Sequence, residues 1–314
     1  MSSSHESSTT SRAQVTIVIP TINRPLACAA ALGSALGQRG VEAHILVSEN
    51  CSDDTHREDY DRLFGGLPGC VCVIRREQRL AVEDHFRWLV EQVGTRFVVL
   101  LADDDLLAPD FLERALPLAE RIGAGAVFGP YIQGGTRGGG RRCSFDYSQR
   151  RVAWRALAFI LHRDDCWIYG LFRTELLRSA FAELVPLRLL GRRTLTRIAY
   201  APLFACLLQA PYGHVGGPPV WSSAIDSVKS ESYLSGNNIR KLTELLLGEW
   251  TLALRFIRIA WQRQGAWFAA AMLLPVLLMG LAHDLHFLLL AVRRTFAALW
   301  RRGGRGVWRD VPRS

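Results

Sequence analysis

The stretch Arg96-Phe-Val-Val-Leu-Leu-Ala-Asp103-Asp104-Asp105-Leu-Leu107 is an apolar run that ends on three consecutive carboxylates. A short continuous apolar run bounded by polar residues reads as a strand buried on both faces. The carboxyl end of such a strand is where an open α/β sheet binds its ligands. Side chains alternate along an extended backbone, so Asp103 and Asp105 fall on one side and can grip a hard divalent cation. Magnesium and manganese suit such a pair, because they take oxygen ligands and share them with substrate phosphates. The plain alternative is a solvated acidic turn ahead of a helix that begins near Pro109.

Upstream, the pattern alternates. Val15 to Pro20 (VTIVIP), Val41 to Ser48 (VEAHILVS), Cys70 to Arg75 (CVCVIR) and Phe97 to Leu101 read as strands. Between them Pro25 to Leu36, Asp53 to Phe64 and Ala81 to Val93 read as helices, the last with apolar Val82, Phe86, Leu89, Val90 and Val93 at helical spacing. Alternation of this kind implies parallel strands joined by right-handed crossovers. The loops Thr21-Ile-Asn-Arg-Pro25 and Glu49-Asn-Cys-Ser-Asp-Asp-Thr55 then open on the same sheet edge as the aspartates.

Three motifs in this order, Val15 to Pro25, Ser48 to Thr55 and Leu101 to Leu106, resemble the family 2 glycosyltransferases of the GT-A fold. The segment Trp167-Ile-Tyr-Gly-Leu-Phe-Arg-Thr-Glu-Leu-Leu177 is similar to the acceptor-side segment of one branch of that family. The resemblance covers about the first two thirds of the chain. It implies an α/β, Rossmann-like, mostly parallel central sheet flanked by helices, and transfer of a sugar from a nucleotide diphosphate sugar, with UDP-sugar favoured. By the same resemblance Thr21, Arg24, Glu49, Asn50, Asp54, Arg79, Asp103 and Asp104 bind the nucleotide. Glu49 stands where the family usually has an aspartate that reads the base, and Asp54 orders the second loop. Asp103 approaches the ribose, while Asp105, with Asp103 and Asp104 beside it, holds Mn2+ or Mg2+ against the diphosphate. Arg75, Arg76 and Arg79 follow the third strand at the same edge, and one of them is expected to meet phosphate or base. Ordinary turn chemistry accounts for Thr21, Arg24 and Asp54 equally simply.

In the family an acid farther along takes the acceptor proton, giving a single inverting displacement. The corresponding region here, Arg192 to Gly213, holds no acid, and no Asp or Glu occurs between Glu183 and Asp226. Asp164 and Asp165, just before Trp167, are the first candidates for the base, Asp165 ahead of its neighbour; Glu175, Asp226 and His214 follow. Both aspartates serve equally well as a helix cap or as partners of Arg163.

The chain of 314 residues is long enough for a catalytic domain plus an appendage. The expected division is a disordered tail at 1–13, a catalytic domain at 14–240, cut near Asp105 into a nucleotide half and an acceptor half, and a helical extension at 241–314. Residues 1–13 are small and polar, unlike a secretory signal. Seven scattered cysteines support neither a zinc site nor a disulfide framework, and fit a reducing setting. Gly134 to Gly140 lacks the lysine and serine of a P-loop and reads as a hairpin or lid.

From Lys241 onward there are eleven basic and four acidic residues, which carries seven of the net nine positive charges. Within this part Ala266 to Ala282 is uncharged over seventeen residues, followed by His283, Asp284, His286 and a second apolar run, Phe287 to Val292. A span usually needs about twenty residues, and arginines flank this one on both sides, unlike the one-sided excess of a single crossing. Interfacial helices on an anionic membrane surface at the cytoplasmic face are expected, peripheral or monotopic, with a single pass as the alternative. A helical pair packed on protein is the soluble alternative. Nucleic acid is not an expected partner, since the basic excess is terminal and almost all arginine.

Two functions follow. One is a metal-dependent glycosyltransferase of the hexosyltransferase type, acting on a glycan or lipid-linked acceptor in cell-envelope polysaccharide or glycolipid synthesis. The other, suggested by the absent base, is a noncatalytic nucleotide-sugar-binding or scaffold protein at the membrane. Nucleotidyl transfer ranks below both, because no glycine-rich, lysine-bearing loop follows Pro20. Donor sugar, linkage and oligomeric state are not written in these residues.

Overall fold

The computed structural model describes residues 13–133, 140–162, 164–184, 187–189, 192–194, 199–223 and 239–303. Contacts divide the chain into two compact units whose segments interleave along the sequence. The first comprises Met1–Ser148, Cys166–Ala182 and Ala210–Asp226, and the second Gln149–Asp165, Glu183–Gln209 and Ser227–Ser314.

The first unit is built on a seven-stranded sheet. Strands β1 (Val15–Thr21), β2 (Ala43–Glu49), β3 (Val71–Arg75) and β4 (Phe97–Leu100) alternate with helices α1 (Pro25–Leu36), α2 (Arg57–Phe64) and α3 (Val82–Glu91). After β4 come a short β5 (Asp105–Leu107), α4 (Phe111–Ile122), β6 (Ala126–Phe128), β7 (Tyr131–Gln133) and β8 (Arg141–Cys143). Farther along the chain lie β9 (Leu171–Arg173), α6 (Thr174–Ala180), β12 (Tyr212–His214) and β13 (Trp221–Ser223). The second unit holds α5 (Val152–His162), the hairpin β10 (Leu187–Leu189) and β11 (Arg192–Thr194), α7 (Tyr200–Gln209), α8 (Ile239–Gln264) and α9 (Ala266–Gly303).

The sheet order is β12-β6-β9-β4-β1-β2-β3. Strands β1 to β4 pair in parallel, as the alternating pattern requires. The mostly parallel sheet of the expectation is present, with one inversion: β9 enters antiparallel between β4 and β6. Its sequence is too short to announce a direction. The core follows from the apolar runs. Val15, Ile17, Val18 and Ile19 of β1 and all of β4 are buried. Pro25 opens α1 at its first turn, where a missing N–H costs nothing. Gly170 lets β9 approach β6, since a Cβ there would lie 2.7 Å from the Val127 carbonyl oxygen.

A second, four-stranded sheet, β5-β13-β7-β8, stands beyond the aspartates. Strands β7 and β8 pair antiparallel, as a hairpin expects; its tip, 134–139, lies outside the described residues, as do 1–12, Arg163 and Asp226.

In the second unit Phe159 of α5, Phe204 of α7 and Phe256 of α8 form one aromatic cluster, with Phe204 and Phe256 stacked at 4.5 Å. Arg155 is buried there, and its guanidinium donates to the carbonyl oxygens of Leu207, Gln149 and Arg150. Helices α8 and α9 run as a hairpin about Gly265, whose φ of 90° is open to glycine at little cost.

Candidate active site at the sheet edge

The three polar loops meet as their places after parallel strands require. The amide of Asn50 donates to the Thr21 carbonyl at 2.9 Å, and that of Leu101 donates to Val18 at 2.9 Å, so β1, β2 and β4 end side by side. At this edge Asp103 and Asp105 are buried and Asp104 is half-buried.

Arg24, immediately before α1, spans two of the aspartates. Its Nη1 donates to Asp103 Oδ1 at 3.2 Å and to Asp104 Oδ2 at 2.9 Å. Thr21 donates through Oγ1 to Asp103 Oδ2 at 3.0 Å. The Tyr60 hydroxyl lies 2.7 Å from Thr21 Oγ1, and because the Thr21 proton already goes to Asp103, Tyr60 is the donor. The same hydroxyl accepts from the backbone N–H of Arg24 at 3.1 Å. Tyr60 therefore fixes the first loop from behind.

Burial raises the Asp103 carboxyl above its ordinary value, and the Arg24 charge and the Thr21 hydroxyl pull it partly back. Burial likewise pushes Tyr60 up, and pushes the Cys28 thiol, close to Thr21 and Asp103, up to about 12. Such shifts, gathered in one small region, are what a site assembled for charged ligands shows.

The first two loops are laced together. Asn23 donates through Nδ2 to Asp53 Oδ2 at 2.7 Å, and its Oδ1 accepts from the Asp53 amide at 2.8 Å. The amide of Asn23 donates to Ser52 Oγ at 2.9 Å. Arg79 donates to Asp53 Oδ1 at 2.8 Å and to the Cys51 carbonyl at 2.9 Å. These bonds to Arg79 and Asn23 hold the Asp53 carboxyl below its usual range. Glu49, buried at the end of β2, accepts the Ser52 amide in a short bond that closes its own loop. Asn50 reaches across to residue 80, donating to the Leu80 carbonyl at 3.0 Å and accepting its amide at 2.9 Å. Among the described residues, Asn23 and Cys51 alone outside glycine have a left-handed backbone, each with φ of 56°. Strain of this kind persists where surrounding structure enforces it and clusters at functional sites.

Thr21, Arg24, Asn50, Arg79, Asp103 and Asp104 thus share bonds at one edge or on the loops that form it. Asp54 does not take the ordering role expected of it. It is exposed in a short 3-10 turn, paired with Arg57 at 2.8 Å, and the inter-loop bonds belong to its neighbour Asp53. Of the three arginines at the end of β3 and beyond it, Arg79 reaches the second loop, while Arg75, the last residue of the strand, pairs with Asp61 and Arg76 lies over the Trp88 ring at 4.4 Å. Asp164 and Asp165 belong to the second unit; Asp164 is buried and Asp165 half-exposed. Glu175 is exposed and paired with Arg178, and His214 Nε2 lies 3.1 Å from Ser144 Oγ.

Sequence reading missed Tyr60, Asn23, Ser52 and Asp53. Tyr60 stands on the apolar face of α2 and looks like core. The other three sit inside motifs already singled out, where composition marks a loop but not which residue bridges it.

The donor set suits a hard cation. Two carboxylates here already share one positive group, the Arg24 guanidinium, and oxygen is the only ligand atom that the aspartate turn offers. Asp103, Asp104 and Asp105 are the residues that would hold Mn2+ or Mg2+.

The sequence matches the family described as "Glycosyl transferase family 2" over residues 16–179, more than half of the chain. No curated protein sequence matches it. Among solved structures it resembles S. aureus TarS 1–349, with a TM-score of 0.53, 16% identity and coverage of 92% of either chain. A structure of the same fragment in complex with UDP-GlcNAc gives 0.55 and 12%, covering 80% of this chain and 67% of that one. The mannosyltransferase PcManGT from Pyrobaculum calidifontis, in complex with GDP-Man and Mn2+, gives 0.52 and 17%, covering 94% and 81%. Of a longer TarS structure the chain spans 43%. At such identities the likeness is one of fold. With the family match extending from β1 through the aspartates into α6, the chain belongs to glycosyl transferase family 2 and is a glycosyltransferase of the GT-A fold.

Proposed function

We propose that this glycosyltransferase takes its sugar from a nucleotide diphosphate sugar bound at the edge formed by Thr21, Arg24, Glu49, Asn50, Arg79 and Asp103 to Asp105. The observation that carries the reading is the Arg24 bridge over Asp103 and Asp104. A turn that already holds a cation between carboxylates suits one bridging a diphosphate. Structures of similar fold that hold UDP-GlcNAc, or GDP-Man with Mn2+, support the donor class. A UDP-sugar is the preferred donor.

In this reading Glu49 and Asn50 meet the base, Asp103 the ribose, and Asp105 with Asp103 and Asp104 the cation. A bound Mn2+ or Mg2+ would offset the negative charge that builds on the leaving diphosphate. Arg24 and Arg79 place fixed positive charge beside the same oxygens, and such preorganised charge needs no rearrangement during reaction. The buried Tyr60 and Thr21 keep that loop from yielding as charge moves. The bond from the anomeric carbon to the diphosphate oxygen breaks while the acceptor oxygen attacks from the opposite face, giving inversion. Asp165, half-exposed where its neighbour Asp164 is buried, is the candidate for the base that takes the acceptor proton. The acceptor is a glycan or lipid-linked hydroxyl of cell-envelope polysaccharide or glycolipid synthesis, met at the cytoplasmic face of the membrane. Apolar α9 supports that location: Ala266–His286 is long and apolar enough to cross a membrane, with a mean hydropathy of 1.8 over its window.

Incubation with a panel of nucleotide sugars and manganese tests the donor class. Hydrolysis or transfer of at least one donor is expected. A chain that neither turns over a donor nor binds UDP would end this reading.

A further inference from the structure

From Ala266 to Ala282 helix α9 is apolar around its whole circumference, and only part of that circumference is buried. Ala269, Met272, Val276, Met279 and Gly280 turn inward and are buried. Gly280 makes room for the Trp250 ring of α8, which a Cβ would meet at 3.4 Å. Trp267, Leu274, Leu278, Leu281, Leu285 and Val292 are exposed, Trp267 at 91%. Their spacing of seven, four, three, four and seven residues sets them on one helical stripe. A stripe of this length and composition, left open, marks a surface that something apolar covers.

We infer that this stripe lies in the plane of an anionic membrane leaflet and that α9 does not cross the bilayer. The inference rests on the proposed membrane location and gives it a geometry. Helix α9 is joined to α8 by a hydrogen bond, Trp250 Nε1 donating to Asp284 Oδ2 at 2.9 Å, beside which His283 Nδ1 stands 3.5 Å from Oε2 of the wholly buried Glu249. Helix α8 is in turn tied to polar groups of its own unit. Arg258 pairs with Glu183 at 3.0 Å, Arg263 donates to Gln209 at 3.1 Å, and Gln264 donates to the Leu208 carbonyl at 2.7 Å. A crossing would carry α8, with Glu249, Arg255 and Arg258, into hydrocarbon alongside α9, at several kilocalories for each charge. Lying flat, α9 sinks its outer stripe and leaves α8 on the watery side. Charge selects the surface: α9 contains Arg293, Arg294, Arg301 and Arg302 against a single acid, Asp284, which faces α8.

The test is flotation of the full chain with vesicles of phosphatidylcholine and phosphatidylglycerol. The wild type is expected to float, and the chain carrying Leu274→Glu, Leu278→Glu and Leu281→Glu to lose partitioning by roughly a hundredfold. All three side chains are exposed, so an unchanged melting profile is expected and certifies the fold. Lipids brominated at shallow or terminal chain positions read depth through a tryptophan placed at mid-helix, Leu278→Trp in the Trp267→Phe chain, and shallow bromines should quench its added emission more. Equal flotation of both chains overturns the inference, as does strongest quenching by terminal bromines, the mark of a span. A wild type that does not float, but falls from dimer to monomer by light scattering when the three glutamates are introduced, assigns the stripe to a second copy and also overturns it. UDP and manganese titrated into the same samples report on the sheet edge separately, so a failed donor site leaves this result interpretable.

Discussion

The sheet edge and the α8–α9 hairpin handle their surface groups in opposite ways. At the edge, Arg24, Asp103, Asp104, Thr21 and Tyr60 bond to one another, so the polar groups are held in place before a ligand arrives. On the hairpin, the polar groups Glu249, Trp250, His283 and Asp284 face inward and the apolar stripe faces out. One surface is preorganised for a charged small molecule. The other is unfinished without an apolar neighbour. On the proposed reading the edge serves chemistry and the hairpin location, and a substitution in either should disturb its own task alone.

The sharpest attempt to break this division is Asp105→Ala. Manganese-dependent UDP binding, followed by calorimetry, should vanish, and transfer should fall by about a thousandfold or more, while vesicle flotation stays at the wild-type level. Next is Asp165→Asn, for which steady-state rates should show transfer reduced by about a hundred- to ten-thousandfold with UDP affinity unchanged. Equal loss of both would make Asp165 a structural residue.

His85 offers a test through pH. It is buried, within 2.8 Å of Ser48 Oγ, and burial together with the Arg76 charge lowers it to about 4 from 6.5. The unfolded chain binds a proton between these values and the folded chain does not. The neutral ring therefore supports the fold fully above about 6.5, and that support drains away as pH falls through 4, by up to ~3 kcal/mol. Urea unfolding of His85→Gln should show a flatter pH dependence across this window than the wild type. The smallest effect is expected from Tyr60→Phe, which removes a hydroxyl bonded to Thr21 and to the Arg24 amide. Urea midpoints should place its cost at about 1–2 kcal/mol, with weaker UDP binding and unaltered flotation.

How much of this was legible in the sequence depends on length and on facing. Strands β1, β2 and β4 announce themselves because each is an apolar run largely buried on both faces, the edge strand β3 by its apolar run alone, and α1 begins and ends where Pro25 and Leu36 mark it. The three-residue strands β5 to β9 carry no period, so the antiparallel β9 and the second sheet were invisible. At the site, the aspartates, Arg24 and Arg79 stand out by charge after a strand, and Thr21 as a polar residue where β1 ends. Whether Asp53 or Asp54 bridges the loops depends on one residue of turn geometry, which composition does not encode. In α9, His283 and Asp284 look like an interruption of an apolar segment. They are continuous helix instead, because the polar pair turns toward Glu249 and Trp250.

Gly265 gives the hairpin a further meaning. Its amide still donates to Trp261 at 2.9 Å, so the chain completes α8 before reversing through a left-handed residue. A β-branched residue at that point would resist the reversal, and the 38 residues of α9 would then emerge with both flanks wet. Aggregation during synthesis, more than lost catalysis, is the damage such a lesion would do.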